Sequence, residues 1–387
     1  MYLEGDLIIK KETTIVVIFV LGLTLFAQEI QHEAVAINIE VPVRVFKGKT
    51  FIDNLTIDDF EIYEEGVLQT VEAVYFIRKT EIIKKEIKKE DEPIKEEAPK
   101  LFSPDPSRTF ILMFEIIEYL PKIGEVLDYF FESVIRPGDS LIFASPTKTY
   151  NLNSEAMERV PREEIAKELK STIRADAIRS SSEYRRLLLH IRDIKEHAMV
   201  GRREMLMDAL RLLKDLTYFD VKKAEDFADF IKAKNGQKQV FFFFQERLMP
   251  VDGITVFDRM ELLNDVSLDS EKLRHAFADS SITCNFLYIK QDLVNSDLKQ
   301  RRETTMAESA MQSFRGLWEM AEVTGGLKES SSNAAASFER AVDYSESYYL
   351  LYYSPKDYNA DGTFKKIKVK VKEQNYRITH RSGYVAD

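Results

Sequence analysis

Arg108–Tyr119 reads RTFILMFEIIEY, and the reading of this stretch organises the rest of the chain. Thr109–Phe114 is a run of apolar and β-forming residues. It is too short for an ordinary helix and too continuously apolar for a strand with one wet face. Such a run fits a central parallel strand buried on both faces. It ends at Glu115, an acid placed where the strand delivers its first loop. In open α/β sheets, ligands bind outside the carboxyl ends of the strands. Glu115–Tyr119 is therefore the first loop of any such site.

Working downstream, Lys122–Val134 carries Ile123, Val126, Leu127, Phe130, Phe131 and Val134 at helical spacing. Arg136-Pro137-Gly138-Asp139 is a turn. Ser140–Ser145, Lys238–Phe244 and Thr283–Ile289 read as further buried strands. Glu155–Leu169 and Ser182–Tyr218 read as amphipathic helices, with the Arg- and Ser-rich Ser171–Ser182 as a loop between them. Leu268–Ala278, Arg315–Val323 and Ser337–Ser345 complete the helices. Thr324-Gly325-Gly326 follows the second of these, where glycine supplies a C-cap conformation. Strands alternating with helices predict an α/β fold over 107–345: a doubly wound, mainly parallel sheet flanked by helices.

Both flanks are β. Val35–Phe46 alternates apolar and polar residues, and Glu65-Gly66 is a hairpin turn between Phe60–Glu64 and Leu68–Ile77. Tyr348–Tyr353, Phe364–Val371 and Tyr376–His380 are C-terminal strands. Each flank is too small to be stable alone. The expectation is a small accessory β unit in which 34–77 packs with 346–387. Residues 78–106 are mostly Lys, Glu, Ile and Pro, a charged linker. Near the start, Lys10 and Lys11 precede Thr13–Ala27, an uncharged apolar run of 15 residues. That length fits a signal-peptide core better than a membrane span of about 20 residues. Residues 1–27 are thus read as a signal peptide or, if uncleaved, an anchor holding the chain to a membrane through 13–27. Either way the remainder is secreted, periplasmic or in the cell envelope.

A net charge of −10 over 387 residues argues against a nucleic-acid partner, because phosphate contacts need clustered Lys and Arg. The single cysteine, Cys284, excludes an intramolecular disulfide and reads as a small buried hydrophobe. The histidines are scattered. His190 and His197 share a predicted helix face, but two turns separate them by about 10.5 Å, too far to bind one ion. No phosphate loop, nucleophile elbow or zinc motif is present in the sequence.

Three local patterns carry a resemblance. Val43–Gly66 (VRVFKGKTFIDNLTIDDFEIYEEG) resembles an opening strand followed by an L-T-x-D-D-F step and an E-D-G turn. Ala321–Gly326 (AEVTGG) resembles an A-x-x-T-G-G helix end. Tyr349–Pro355 (YLLYYSP), Asp361-Gly362, Lys365–Val371 and Arg381–Tyr384 (RSGY) resemble a Y-L-L-x-Y-x-P … D-G … V-K-V … R-x-G-Y close. In this order they are similar to the acidobacterial-type secreted proteins with a von Willebrand factor A-related domain.

The resemblance implies a von Willebrand A-like domain with a metal-ion-dependent adhesion site on its rim. Such a site holds Mg²⁺ with D-x-S-x-S, a Thr on a second loop and an Asp on a third. A hard cation takes oxygen ligands, and an open position accepts a partner's carboxylate. Carried onto this chain, the Asp position falls on Glu115 and the Ser positions on Ile117 and Tyr119, neither a serine replacement. The third loop falls on Gln245-Glu246-Arg247, with Glu246 as the acid and Arg247 as a cation beside it. Thr172, Ser180, Ser181 and Ser182 are candidates for the Thr by order only. The resulting expectation is a non-enzymatic, exported protein-interaction module with a degenerate metal site, a protein partner and no cofactor. The alternative is a Mg²⁺- or Mn²⁺-dependent adhesion or assembly module using the acids Glu115 and Glu246, with Glu118 nearby.

Overall fold

The run Thr109–Phe114 lies in a strand near the middle of a six-stranded sheet in the computed structural model of the chain. That model describes residues 37–88, 104–105, 107–197, 200–217, 221–246, 270–290, 309–373 and 375–387, with Thr255 and Asp258. The central sheet consists of β7 (Arg108–Glu115), β8 (Ser140–Ala144), β9 (Thr149–Leu152), β10 (Gln237–Gln245), β11 (Ile282–Ile289) and β12 (Lys328–Ser331). Its order is β12-β11-β10-β7-β8-β9. The neighbours from β12 to β8 are parallel, and β9 closes the edge antiparallel to β8.

Side-chain alternation explains the apolar run. Phe110, Leu112 and Phe114 join Phe241 and Phe243 in a cluster under α1 (Pro121–Tyr129), α3 (Arg162–Glu196) and α8 (Ala334–Ser345). Ile111 joins Val240, Phe242 and Phe286 on the other face, under α5 (Val221–Lys232), α6 (Ser270–Asp279) and α7 (Ser309–Val323). Phe114 stacks on Phe243 with centroids 4.6 Å apart, and Phe338 stands edge-on to Phe241 at 4.9 Å. Truncating a phenylalanine at such a site costs about 3–5 kcal/mol.

The remaining strands form two antiparallel sheets. The outer sheet contains β1 (Ile39–Lys47), β2 (Thr50–Phe51), β5 (Ala73–Arg78), β6 (Glu81–Ile87), β13 (Ser347–Tyr353) and β15 (Arg377–His380). Its order is β15-β1-β13-β5-β6, with β2 on β1. The small sheet orders β16 (Gly383–Val385), β14 (Phe364–Val371), β3 (Phe60–Glu64) and β4 (Val67–Gln69). Glu65 and Gly66 both take positive φ, the backbone a two-residue hairpin between β3 and β4 requires.

These sheets correct the expected fold class. The chain is mixed α/β, not a doubly wound, mainly parallel sheet with a small accessory β unit. Of the sixteen described strands, ten lie in the antiparallel sheets, and the central sheet is itself mixed. The physical reason is range. β1 pairs with β13 from Ile39↔Tyr353 to Val43↔Tyr349, and β3 pairs with β14, so antiparallel partners lie some three hundred positions apart. Local periodicity reports a strand but not its partner. β9 carries no strand signal in the sequence because Thr149–Leu152 is short and only half-buried at the edge.

Two further readings are corrected. Ser171–Ser182 is not a loop: α3 runs unbroken for 35 residues, from Arg162 to Glu196. No Gly or Pro interrupts it, and its serines turn inward on the backbone. Ser180, Ser181 and Ser182 each donate to the carbonyl three residues earlier. The break comes later, before α4 (Arg202–Thr217), where Gly201 takes φ +74°. The second correction concerns the charged linker, which begins with β6. This edge strand is exposed and mostly charged, a composition that protects an edge from further pairing. Residues 89–103 and 106 of the segment 78–106 lie outside the described residues, as does the segment read as a signal peptide or anchor.

Thr324-Gly325-Gly326 binds the end of α7 to the central sheet. Thr324 Oγ1 accepts from the Cys284 N–H at 3.0 Å and donates to the Met320 carbonyl at 2.9 Å. A Cβ on Gly326 would stand 2.0 Å from the Cys284 carbonyl oxygen, so only glycine permits this approach. At the amino end of β7, Arg108 and Asp139 form a bidentate ion pair (2.9 and 2.6 Å), both fully buried.

Candidate functional site

The rim predicted to hold a ligand lies at the carboxyl ends of β7, β8 and β10. Glu115, the last residue of β7, is half-buried and stands opposite Phe244 of β10. Gln245, at the end of β10, is fully buried. Its side-chain Oε1 accepts from the backbone N–H groups of both Ile117 and Glu118, each at 2.8 Å. Two adjacent N–H groups at a strand–helix turn make an anion-binding concavity. Here a neutral amide oxygen from the adjacent strand fills it. The Gln245 Nε2 has no hydrogen-bond partner.

Ile117 has a packing role. It lies against the cluster where Tyr184, Leu187, Ile191 and Ile194 of α3 meet Leu206, Leu210 and Leu213 of α4. The α3–α4 pair therefore rests on the loop that follows β7. Tyr119 packs against the first core cluster, with the Arg174 guanidinium 5.9 Å from its ring centroid. Its hydroxyl lies over α1, 2.5 Å from where a Cβ on Gly124 would stand. Neither side chain points a ligand atom at a shared centre.

Glu246 is buried, and its backbone N–H donates to the Ile289 carbonyl at 2.9 Å. Arg247 lies outside the described residues. Thr172 and Ser180–Ser182 belong to α3, and the three serine hydroxyls are engaged with helix carbonyls. Among the described residues, no three His, Cys, Asp or Glu side chains come together as a metal-binding group.

One rim contact escaped the sequence reading. Ser145, just past β8, donates to Asp176 Oδ2 at 2.5 Å, and both residues are buried. The signal existed: Asp176 sits on the buried stripe of α3 between Ile173 and Ala177, visible only once the helix is read as unbroken. The thiol of Cys284 is fully buried, and burial pushes its pKa up to about 12, which leaves it unreactive. His190 and His197 are exposed, and α3 ends at Glu196, so His197 lies just beyond the helix. Among the described residues, no helix is long and apolar enough to cross a membrane.

Compared with known proteins, the sequence matches no family model and no curated protein. Among solved structures it is similar to the crystal structure of the human COPII-coat protein Sec24c, at 8% identity and a TM-score of 0.32. That alignment covers 73% of this chain and 44% of the other, so this chain spans less than half of that protein. A likeness this loose carries no argument about fold or function.

Proposed function

We propose that this chain is a non-catalytic, exported protein-interaction module whose rim serves as a structural joint. The observation that carries the reading is the Gln245 bridge. Its amide oxygen occupies both N–H groups of the first loop, while Ile117 seats the α3–α4 pair where a ligand atom would otherwise stand. Ile117 offers no donor to a hard cation, and the Tyr119 phenol is committed to packing.

Contact with a protein partner falls instead to exposed surface. Met205, Leu212 and Leu216 recur along one stripe of α4 and are 39%, 56% and 40% exposed. Leu206, Leu210 and Leu213 bury the neighbouring stripe, about a quarter-turn away, so the exposed one adds little to the core.

Calorimetric titration of the full chain tests this reading. Mg²⁺, Mn²⁺ and Ca²⁺ should show no saturable binding, and capture of envelope proteins by the immobilised chain should be unchanged by EDTA and reduced in L212E/L216E. Saturable uptake of Mg²⁺ or Mn²⁺ that disappears in E115A would overturn it in favour of adhesion through Glu115 and Glu246.

A further inference from the structure

At the opposite end of the central sheet, a cavity of about 360 Å³ separates the amino ends of β10 and β11 from β1 and β13 of the outer sheet. This volume lies at the lower end of the range for small-molecule sites. Arg44 and Lys238 line it, together with Ser281, Thr283, Glu40 and Tyr348.

The cations here are buried without a carboxylate in ion-pair contact, and the nearby Asp279 is paired with Lys232 at 2.7 Å. Arg44 is 3% exposed, and its guanidinium makes one hydrogen bond, from Nη2 to Thr283 Oγ1 at 3.3 Å. Its Nε and Nη1 have no hydrogen-bond partner, and its charge is met only by the rings of Tyr344 and Tyr348, each 5.7 Å away. Arg381 is 5% exposed and donates from Nη1 to Ser281 Oγ at 2.6 Å, leaving its Nε without a partner. Lys238 is likewise buried and donates to the Lys234 carbonyl at 3.0 Å. Burial, with Arg381 nearby, holds the Lys238 ammonium down at about 8. Burial also lowers the pKa of both arginines.

The acids at the cavity do not cancel this. Glu40 is exposed, and its Oε1 accepts from the Tyr352 hydroxyl at 2.8 Å. Asp105 is exposed and accepts from the Ser107 N–H at 2.9 Å. Buried guanidiniums are normally matched by carboxylates or fully hydrogen-bonded, because desolvating an unmatched charge is costly. Arg108 shows the matched case nearby, in its bidentate pair with Asp139.

We infer that this cavity is a binding site for a small oxyanion, the phosphate or carboxylate group of a small molecule, received by Arg44 and Lys238, with Arg381 behind Ser281 of the wall. Guanidinium donors suit planar or tetrahedral oxyanions, and a charge-assisted bond to a buried arginine is about twice as strong as a neutral one. Tyr348 and Leu350 supply an apolar wall for the remainder of the ligand.

The test is thermal unfolding of the full chain, with EDTA present and ionic strength held constant with NaCl, in rising inorganic phosphate or, separately, succinate. A Tm rise of several degrees that saturates is expected in one of the two series, and the responding series distinguishes phosphate from carboxylate. R44M should abolish that response while remaining folded in NaCl alone. Should R44M fail to fold, K238M carries the test, with at least tenfold weaker apparent affinity expected. The inference is overturned if neither anion raises Tm beyond the NaCl control. Retention of the full response by R44M, or by K238M where R44M does not fold, would overturn it equally.

Discussion

The two ends of the central sheet solve the same problem in opposite ways. At the carboxyl end, the first loop's N–H groups are closed by Gln245 Oε1, Ser145 is matched by Asp176, and Ile117 is packed under helices. At the amino end, Arg44 and Arg381 remain buried with donors unmade. At the carboxyl end, where fold-level reasoning looks for a ligand, the protein's own groups close the loop and leave only the neutral Gln245 Nε2 without a partner among the described residues. The amino end has been left incomplete. Unmade donors on buried charges mark a site better than position in a topology does, because their desolvation cost persists until something arrives to offset it.

The sharpest contrast lies between two arginines at that amino end. Asp139→Ala leaves Arg108 buried without its partner and should cost about 3–5 kcal/mol in urea unfolding. Arg44→Met removes a buried charge that has no carboxylate partner. In anion-free buffer it should leave the urea midpoint unchanged or raise it, since replacing buried ionic groups by apolar ones is often neutral or stabilising. A large loss in R44M would mean that Arg44 is structural, and the contrast between the two ends would fail.

At the rim, Gln245→Leu should cost about 1–3 kcal/mol, because the Ile117 and Glu118 N–H groups lose their acceptor inside the protein. An unchanged midpoint would show that the bridge does not hold the loop.

The smallest effect concerns pH. His380 Nδ1 donates to the Arg381 carbonyl at 2.7 Å, and its Nε2 accepts from the Val369 N–H at 3.2 Å. Both contacts need the neutral ring, and burial lowers its pKa from the ordinary value. As pH falls, the unfolded chain therefore binds the proton first. This contribution to stability is complete above about pH 6.5 and declines below it, toward the folded value. Urea midpoints measured from pH 7.5 down to 5.5 should fall in the native chain, and H380Q should flatten that slope.

Much of this architecture could be read from residues, and the unread parts have physical causes. The runs Thr109–Phe114 and Lys238–Phe244 announce strands buried on both faces, and Glu65-Gly66 announces its hairpin. The α3 serines suggest a loop because such hydroxyls commonly compete with the helix backbone. Here they bond to carbonyls within it. Arg44 looks like the outward residue of an alternating strand, V-R-V. It is buried because β1 has a second layer against it, with Thr283 of β11 in reach of its guanidinium. No local pattern predicts that second layer. The same limit applies to the fold class, since β13 and β14, the long-range partners of β1 and β3, come from the far end of the chain.

The most direct test of this contrast is a single thermal-unfolding series on the full chain at constant ionic strength, comparing Mg²⁺ with inorganic phosphate and succinate. The account predicts a saturable Tm rise with one of the anions and none with the cation. A rise with Mg²⁺ alone, lost in E115A, would place the ligand at the carboxyl rim and contradict it.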